Sequence, residues 1–388
     1  MQKILFKLQK SPLNRRTVLA IISATTLPLA VASTVWPQAP RPRLINMEAL
    51  PKRTTNVSAQ GPEDGVITQR EQSKQTAPDS AKETTPYSTI VEENGRKWRV
   101  FDFPEDTKIG NISVLHQLPR TAKGKLKYAL NARIEFEPSP IVLKWPNYIK
   151  RFRRGDIFEA TISNGMPMVD DDDNRPPSTT SYLKALSVVP GIQSLCLMPA
   201  EEPLSSADTA QLEHFASLKS LIIFSHQLDT TEFSKLSILR QLESLYLVDR
   251  GDMMPILKAL KNSTHVKSLL LTNSAISLDG LAIVARWPNL QVLQFVRIIP
   301  STPATSIRAL NLLSNAPQLQ TLSITNLPIN PDALIALKSF KRLETLTLGA
   351  TYSRINPKEG RQILMEAARL RLKIKIQLNG RSKYSNPY

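Results

Sequence analysis

The side chains with the most chemistry to offer are one cysteine, four histidines, a run of acids and a cluster of cations near the C-terminal end. Cys196 is the single cysteine, which rules out an intrachain disulfide and a thiolate metal cluster. His116, His214, His226 and His265 are scattered, so they form no metal-ligand spacing. Asp170 to Asp173 are consecutive acids of the kind a calcium loop uses, but the loop's glycine and distal bidentate glutamate are missing, and the run reads as a solvated turn. Arg361, Arg369, Arg371, Lys373, Lys375, Arg381 and Lys383 could hold phosphate-like groups. No aromatics are interleaved with them for base stacking, so sequence-directed nucleic-acid reading is not expected. Neither paired carboxylates, nor a phosphate loop, nor a Ser-His-Asp arrangement can be assembled, and the expectation is a protein without enzymatic activity or cofactor.

Charge narrows the class of partner. The formal net charge of +17 over 388 residues is unevenly spread: residues 201–252 hold nine acids and four bases, residues 253–388 eighteen bases and five acids. Such asymmetry points to a polyanion such as nucleic acid, anionic lipid or acidic glycan, and places candidate anion-binding residues at Arg369, Arg371, Lys373 and Lys375.

The elements that position these groups begin after a long lead. Residues 1–36 read as a basic head, an uncharged apolar stretch and the small triplet Ala30-Val31-Ala32, the pattern of an export signal. No charge lies between Arg16 and Arg41, so residues 17–36 also suit a membrane anchor, which takes roughly 20 residues. Arg15-Arg16-Thr17-Val18-Leu19 resembles a twin-arginine signal, with Asn14 and Val18 departing from the pattern. Either way the remainder is expected outside the cytoplasm, periplasmic or at the cell surface, with membrane contact only through this segment. Residues 37–95, rich in Pro, Gln, Thr and Ser, cannot bury enough apolar surface to offset an ordering entropy of roughly 1–2 kcal/mol per residue and read as a disordered tether. Residues 96–165 alternate apolar and polar, as in Arg133-Ile134-Glu135-Phe136-Glu137, and read as a small β-rich segment serving as an N-terminal cap.

Residues 166–388 carry a repeat. Six-residue frames start at Ile192, Leu218, Leu242, Val266, Leu290, Leu319 and Leu343, separated by 26, 24, 24, 24, 29 and 24 residues, with every first, fourth and sixth position apolar. Between frames the apolar period lengthens to that of a helix, as in Phe233, Leu236 and Leu239, and Pro331 and Pro357 follow asparagines at helix-start positions. An earlier rung lies at 157–162 and a closing strand at 372–378. The pattern resembles the leucine-rich repeat family, in a bacterial exported form. The resemblance implies an α/β solenoid with parallel strands on the concave side and short helices on the convex side, preceded by the small β segment. It departs from the family where an asparagine usually sits: Ala200, His226, Arg250, Ser274, Ile298, Leu327 and Thr351 stand there instead.

Side chains that alternate with the inward leucines would line the concave face, the surface such solenoids use for partners. The third frame position gives a hydroxyl stripe from Ser194 to Ser268, while Ile222, Phe224, Tyr246, Val248 and Leu270 form an apolar and aromatic patch. An exposed patch of this kind marks protein contact unless another part of the same chain covers it. Cys196, on the same face with no His or Lys beside it, reads as an apolar filler. The expectation is therefore a binding scaffold for an unidentified protein partner, with polyanion adhesion through the basic C-terminal half as the alternative.

Overall fold

A computed structural model describes residues 79–115, 117–163, 178–198, 203–225, 227–249, 251–325, 331–349 and 357–379. The expected signal or anchor, most of the tether, the acid run, His116 and His226 lie outside the described residues. No helix among the described residues is long and apolar enough to cross a membrane.

Alternation in the middle segment folds as expected into short strands: β1 (Ser88–Glu93), β2 (Arg96–Phe103), β3 (Gly110–Val114), β4 (Arg120–Thr121), β5 (Gly124–Ala129) and β6 (Ile134–Pro138). The link between β1 and β2 is Asn94-Gly95, with φ of 52° and 70°, the left-handed pair that a tight hairpin needs. β1, β2 and β5 make a three-stranded antiparallel sheet. The tether is thus shorter than 37–95, because Asp79–Lys82 is a 3-10 turn and Ser88–Glu93 pairs along its length with β2. That segment is bolted down by buried Asp156, which accepts from the Ser88 hydroxyl and the Arg153 N–H at 2.6 Å each. Arg151 adds a 3.0 Å ion pair to Glu83 and lies 4.1 Å over the Tyr87 ring.

β3, β4 and β6 open a second, twelve-stranded sheet. After β6 every strand runs parallel to the one before: β7 (Glu159–Ser163), β8 (Ser194–Met198), β9 (Ser220–Phe224), β10 (Ser244–Val248), β11 (Ser268–Ser277), β12 (Val292–Ile299), β13 (Thr321–Thr325), β14 (Thr345–Gly349) and β15 (Lys375–Asn379). The early rung at 157–162 is β7, so the expected cap and the repeat share one sheet. Each connection returns through a short helix, among them α1 (Ile141–Lys144), α2 (Asn147–Lys150), α3 (Thr179–Leu186), α4 (Ser206–Gln211), α5 (Thr230–Ser234), α6 (Met254–Ala259), α7 (Leu278–Val284), α8 (Pro303–Leu313), α9 (Pro331–Ala336) and α10 (Pro357–Arg369). The result is a mixed α/β architecture with a mostly parallel sheet, compatible with a solenoid.

Local sequence explains where the helices begin. Ser205 and Asp208 form a reciprocal capping box at α4, Asp229 accepts from the N–H groups of Thr231 and Glu232 at 3.0 Å, and Ser277 accepts from Gly280 at 3.1 Å. Thr302 caps α8 with Pro303 at its first position, where the missing N–H is of no consequence. The helices lie over one face of the sheet and enclose the frame leucines: Leu245, Leu269 and Leu293 are 0% exposed and share a core with Phe233, Leu257 and Leu310. In place of an asparagine ladder, buried Ser225, Asp249 and Ser274 serve the turns. The Asp249 carboxylate accepts from the Leu228 N–H at 3.2 Å, and the Ser274 hydroxyl donates to the Asp249 carbonyl at 2.7 Å.

Leu269 is covered by neighbouring strands and helices, so Leu269→Ala is expected to cost about 2–5 kcal/mol of stability, whereas Ser268→Ala on the opposite face costs under about 1 kcal/mol. Urea unfolding of both variants checks this; similar costs at the two sites would remove the assignment of faces.

Candidate functional site

Parallel register turns the sequence period into rows of side chains on the helix-free face. One row runs Glu135, Glu159, Ser194, Ser220, Ser244, Ser268, Val292, Thr321, Thr345 and Lys375. The next runs Thr161, Cys196, Ile222, Tyr246, Leu270, Gln294, Ser323, Thr347 and Gln377. The wall therefore changes character along its length, from carboxylates through apolar and aromatic groups to hydroxyls and amides.

The carboxylate end is a bonded network. Glu135 accepts from the Thr161 hydroxyl at 3.0 Å and the Ser113 hydroxyl at 3.2 Å. Glu159 accepts from the Ser194 hydroxyl at 2.7 Å, and Glu137 accepts from Asn111 Nδ2 at 3.1 Å and from the Ser163 hydroxyl. Burial pushes Glu159 up to about 7; the Ser194 bond opposes that rise and the Glu135 charge beside it adds to it. Gly110 lets β3 approach closely enough to hold β6 in place, since a Cβ there would sit 2.3 Å from the Glu137 carbonyl oxygen. Among the described residues no cluster of three or more His, Cys, Asp or Glu is arranged to hold a metal ion.

These carboxylates correct the expectation that no carboxylate pair assembles. The signal was present: Glu135 and Glu159 are 24 residues apart, the period of the repeat, and Ile134 and Phe136 flank Glu135 with buried side chains as frame residues do. Extending the frame one rung toward the N-terminus pairs them.

The apolar patch is only partly open. Ile222, Val248 and Leu270 are buried at 6%, 4% and 1% exposure, while Phe224 and Tyr246 remain half-exposed. Neighbouring strands lie about 4.8 Å apart, so large side chains side by side cover one another. Leu270 stands in register between Tyr246 and Gln294, and Ile222 between Cys196 and Tyr246. The open pair packs edge to face, with ring centroids 5.5 Å apart and planes at 69°. The Tyr246 hydroxyl accepts from Thr272 at 3.4 Å. Cys196 is buried beside them; burial, then the charges of Glu159, Glu135 and Glu137, raise its thiol pKa, which keeps it protonated at neutral pH.

The four cations of the basic end do not act as one group. Arg369 at the end of α10 is held by Glu366 through two bonds of 2.8 and 2.5 Å. Arg371 sits just past the helix with φ of 53°, and the Leu372 N–H closes the helix end on the Ala367 carbonyl at 3.1 Å. Arg371, Lys373 and Lys375 are exposed.

Fold and wall together define a class: a mixed α/β protein of stacked strand-and-helix units bearing a graded row of side chains on the helix-free face of its sheet. No known protein family matches the chain, and no curated protein does. Among solved structures it is similar to the Toll–Spatzle complex of Drosophila, with a TM-score of 0.33 and 9% identity over 72% of this chain and 37% of that one. The chain spans well under half the length of that neighbour, and a likeness so distant carries no argument about what this protein does.

The folded pKa of Glu159, about 7, lies above its ordinary 4.5, so the folded chain holds this proton more tightly than the unfolded chain does. Its contribution to stability is complete below the ordinary value and is lost as pH rises through about 7. Glu159→Gln keeps a bond to Ser194 without a charge. The variant is expected to gain stability relative to wild type as the solution moves from about pH 5 to about pH 8, read as the difference in urea midpoints. A difference that stays constant would show that Glu159 titrates as an exposed carboxylate does.

Proposed function

We propose that this chain is a non-enzymatic binding scaffold of the leucine-rich repeat type, exported or tethered at a membrane, whose helix-free wall receives a segment of a protein partner. The observation that carries the reading is the Phe224–Tyr246 pair: the two rings, with Met198, stay partly accessible where Ile222, Val248 and Leu270 are buried. Rigid aromatic groups in a partly desolvated setting are what protein interfaces use as anchors. The carboxylates on one side of the pair and the hydroxyls and Gln294 on the other supply polar contacts that fix a partner's register along the wall. Support for the repeat type comes from the frame and from the parallel strands it forms. Export rests on the signal-like residues 1–36 alone. Adhesion to a polyanion through Arg369, Arg371, Lys373 and Lys375 is the second reading, and the bond from Arg369 to Glu366 leaves three of the four for it.

The site assignment is tested with a photo-crosslinking amino acid placed at Tyr246 and, as a control, at exposed Lys258 on α6, in the cells that make the protein. A discrete crosslinked protein from position 246 and none from 258 is expected, and Phe224→Ala should weaken the purified complex about tenfold or more. Equal crosslinking from both faces would sink the assignment. Ile222 is unsuitable for such a test because its burial makes Ile222→Asp a folding mutation.

A further inference from the structure

β15 is the last strand of the twelve-stranded sheet and pairs with β14 on one side only; among the described residues nothing pairs with its other edge. Lys375 N–H donates to the Glu344 carbonyl at 2.8 Å, so alternation along the strand turns the main-chain groups of Ile376 and Leu378 toward the open edge. Side chains alternate as strictly. Lys373, Lys375 and Gln377 are exposed, whereas Ile374, Ile376 and Leu378 are half-buried against the core. One rung earlier the equivalent Leu346 and Leu348 are 0% and 4% exposed, because β15 and its helix cover them. The last described rung has the same apolar residues and lacks that cover among the described residues.

We propose that the open edge of β15 is a strand-addition site for an extended segment of another protein in which apolar residues alternate with Glu or Asp. Main-chain bonds to an edge give affinity, and alternate side chains give selectivity. Lys375 opens β15, Arg371 and Lys373 lie just ahead of the strand, and all three are exposed and form no ion pair among the described residues; a paired strand would set its own polar residues against this cationic start. A second copy of this chain is the wrong occupant. β15 carries Lys375 and no carboxylate, so a second β15 brings nothing to meet that charge, and the opposite end of the sheet, β4, is two residues long and presents Arg120. The cationic start of the edge thus favours an acidic strand over a second copy. This surface is separate from the wall around Phe224 and Tyr246, and the two readings stand or fall apart.

The test uses the full chain and a fluorescein-labelled peptide of about eight residues alternating Glu and Val, followed by anisotropy at moderate salt. A second peptide carries N-methyl groups on alternate residues, which remove the donors of one edge, and a third replaces Glu with Lys. Saturable binding of the first peptide is expected, weakened about tenfold or more by N-methylation or by Lys373→Glu with Lys375→Glu, and no binding of the third. Both lysines are exposed, so circular dichroism of the double variant should match wild type. No saturable binding of the acidic peptide overturns the proposal. So does binding indifferent to N-methylation, or displaced equally by heparin, since either would mean plain charge attraction. Dimerisation through the edge, seen by sedimentation and abolished by the double variant, would assign it to a second copy instead.

Discussion

No strand of this protein can bury its own leucines. A strand offers its apolar side chains to one face, a short helix covers part of that face, and the remaining cover comes only from the strands and helices on either side. That lateral dependence makes Leu269, Leu293 and Leu322 fully inaccessible in the middle of the sheet. It also dictates how the two ends differ. At the N-terminal end the chain adds antiparallel strands and an aromatic cluster in which Tyr87, Phe103 and Phe152 meet edge to face or tilted. At β15 the apolar residues are, among the described residues, covered on one side only.

The same spacing governs the opposite face. Strands about 4.8 Å apart leave each side chain two lateral neighbours, and what those neighbours are decides whether it is open or closed. Three aliphatic groups close over one another, whereas the rings of Phe224 and Tyr246 stay partly accessible. Glu135 and Glu159, in the neighbouring row, form no ion pair among the described residues. Hydroxyls from β3, β7 and β8 take the cation's place, which satisfies the oxygens without cancelling the charge. Glu159 then answers to its neutral form, and the thiol of Cys196 feels the same field.

The parts of this architecture that were legible in the sequence are those set by a short-range period. The 24-residue frame predicted the strand faces, and Pro331 and Pro357, each after an asparagine, marked helix starts by local chemistry. Less legible were features decided by what stands one rung away. Whether Leu270 is exposed depends on Tyr246 and Gln294, each 24 residues distant, and the tether's end depends on β2, which recruits Ser88–Glu93 into a hairpin. The bonds at the turns around Asp249 and Ser274 are not legible in the sequence, because the two residues act from adjacent turns and share no motif.

The register gives one row of the sheet a charge gradient. Glu135 and Glu159 begin a row that Lys375 ends, so carboxylates and a lysine lie at opposite ends of one sheet. Charges so far apart interact weakly through salt water, where the screening length is about 8 Å. Their arrangement therefore does little for the stability of the chain itself. Its consequence falls on anything laid along the row: an extended segment with unlike charges at its two ends meets attraction in one direction and repulsion in the other, so orientation is selected before the rings at Phe224 and Tyr246 are reached. The aromatic pair can then supply contact area that is indifferent to direction, because the charges at the ends have already fixed it.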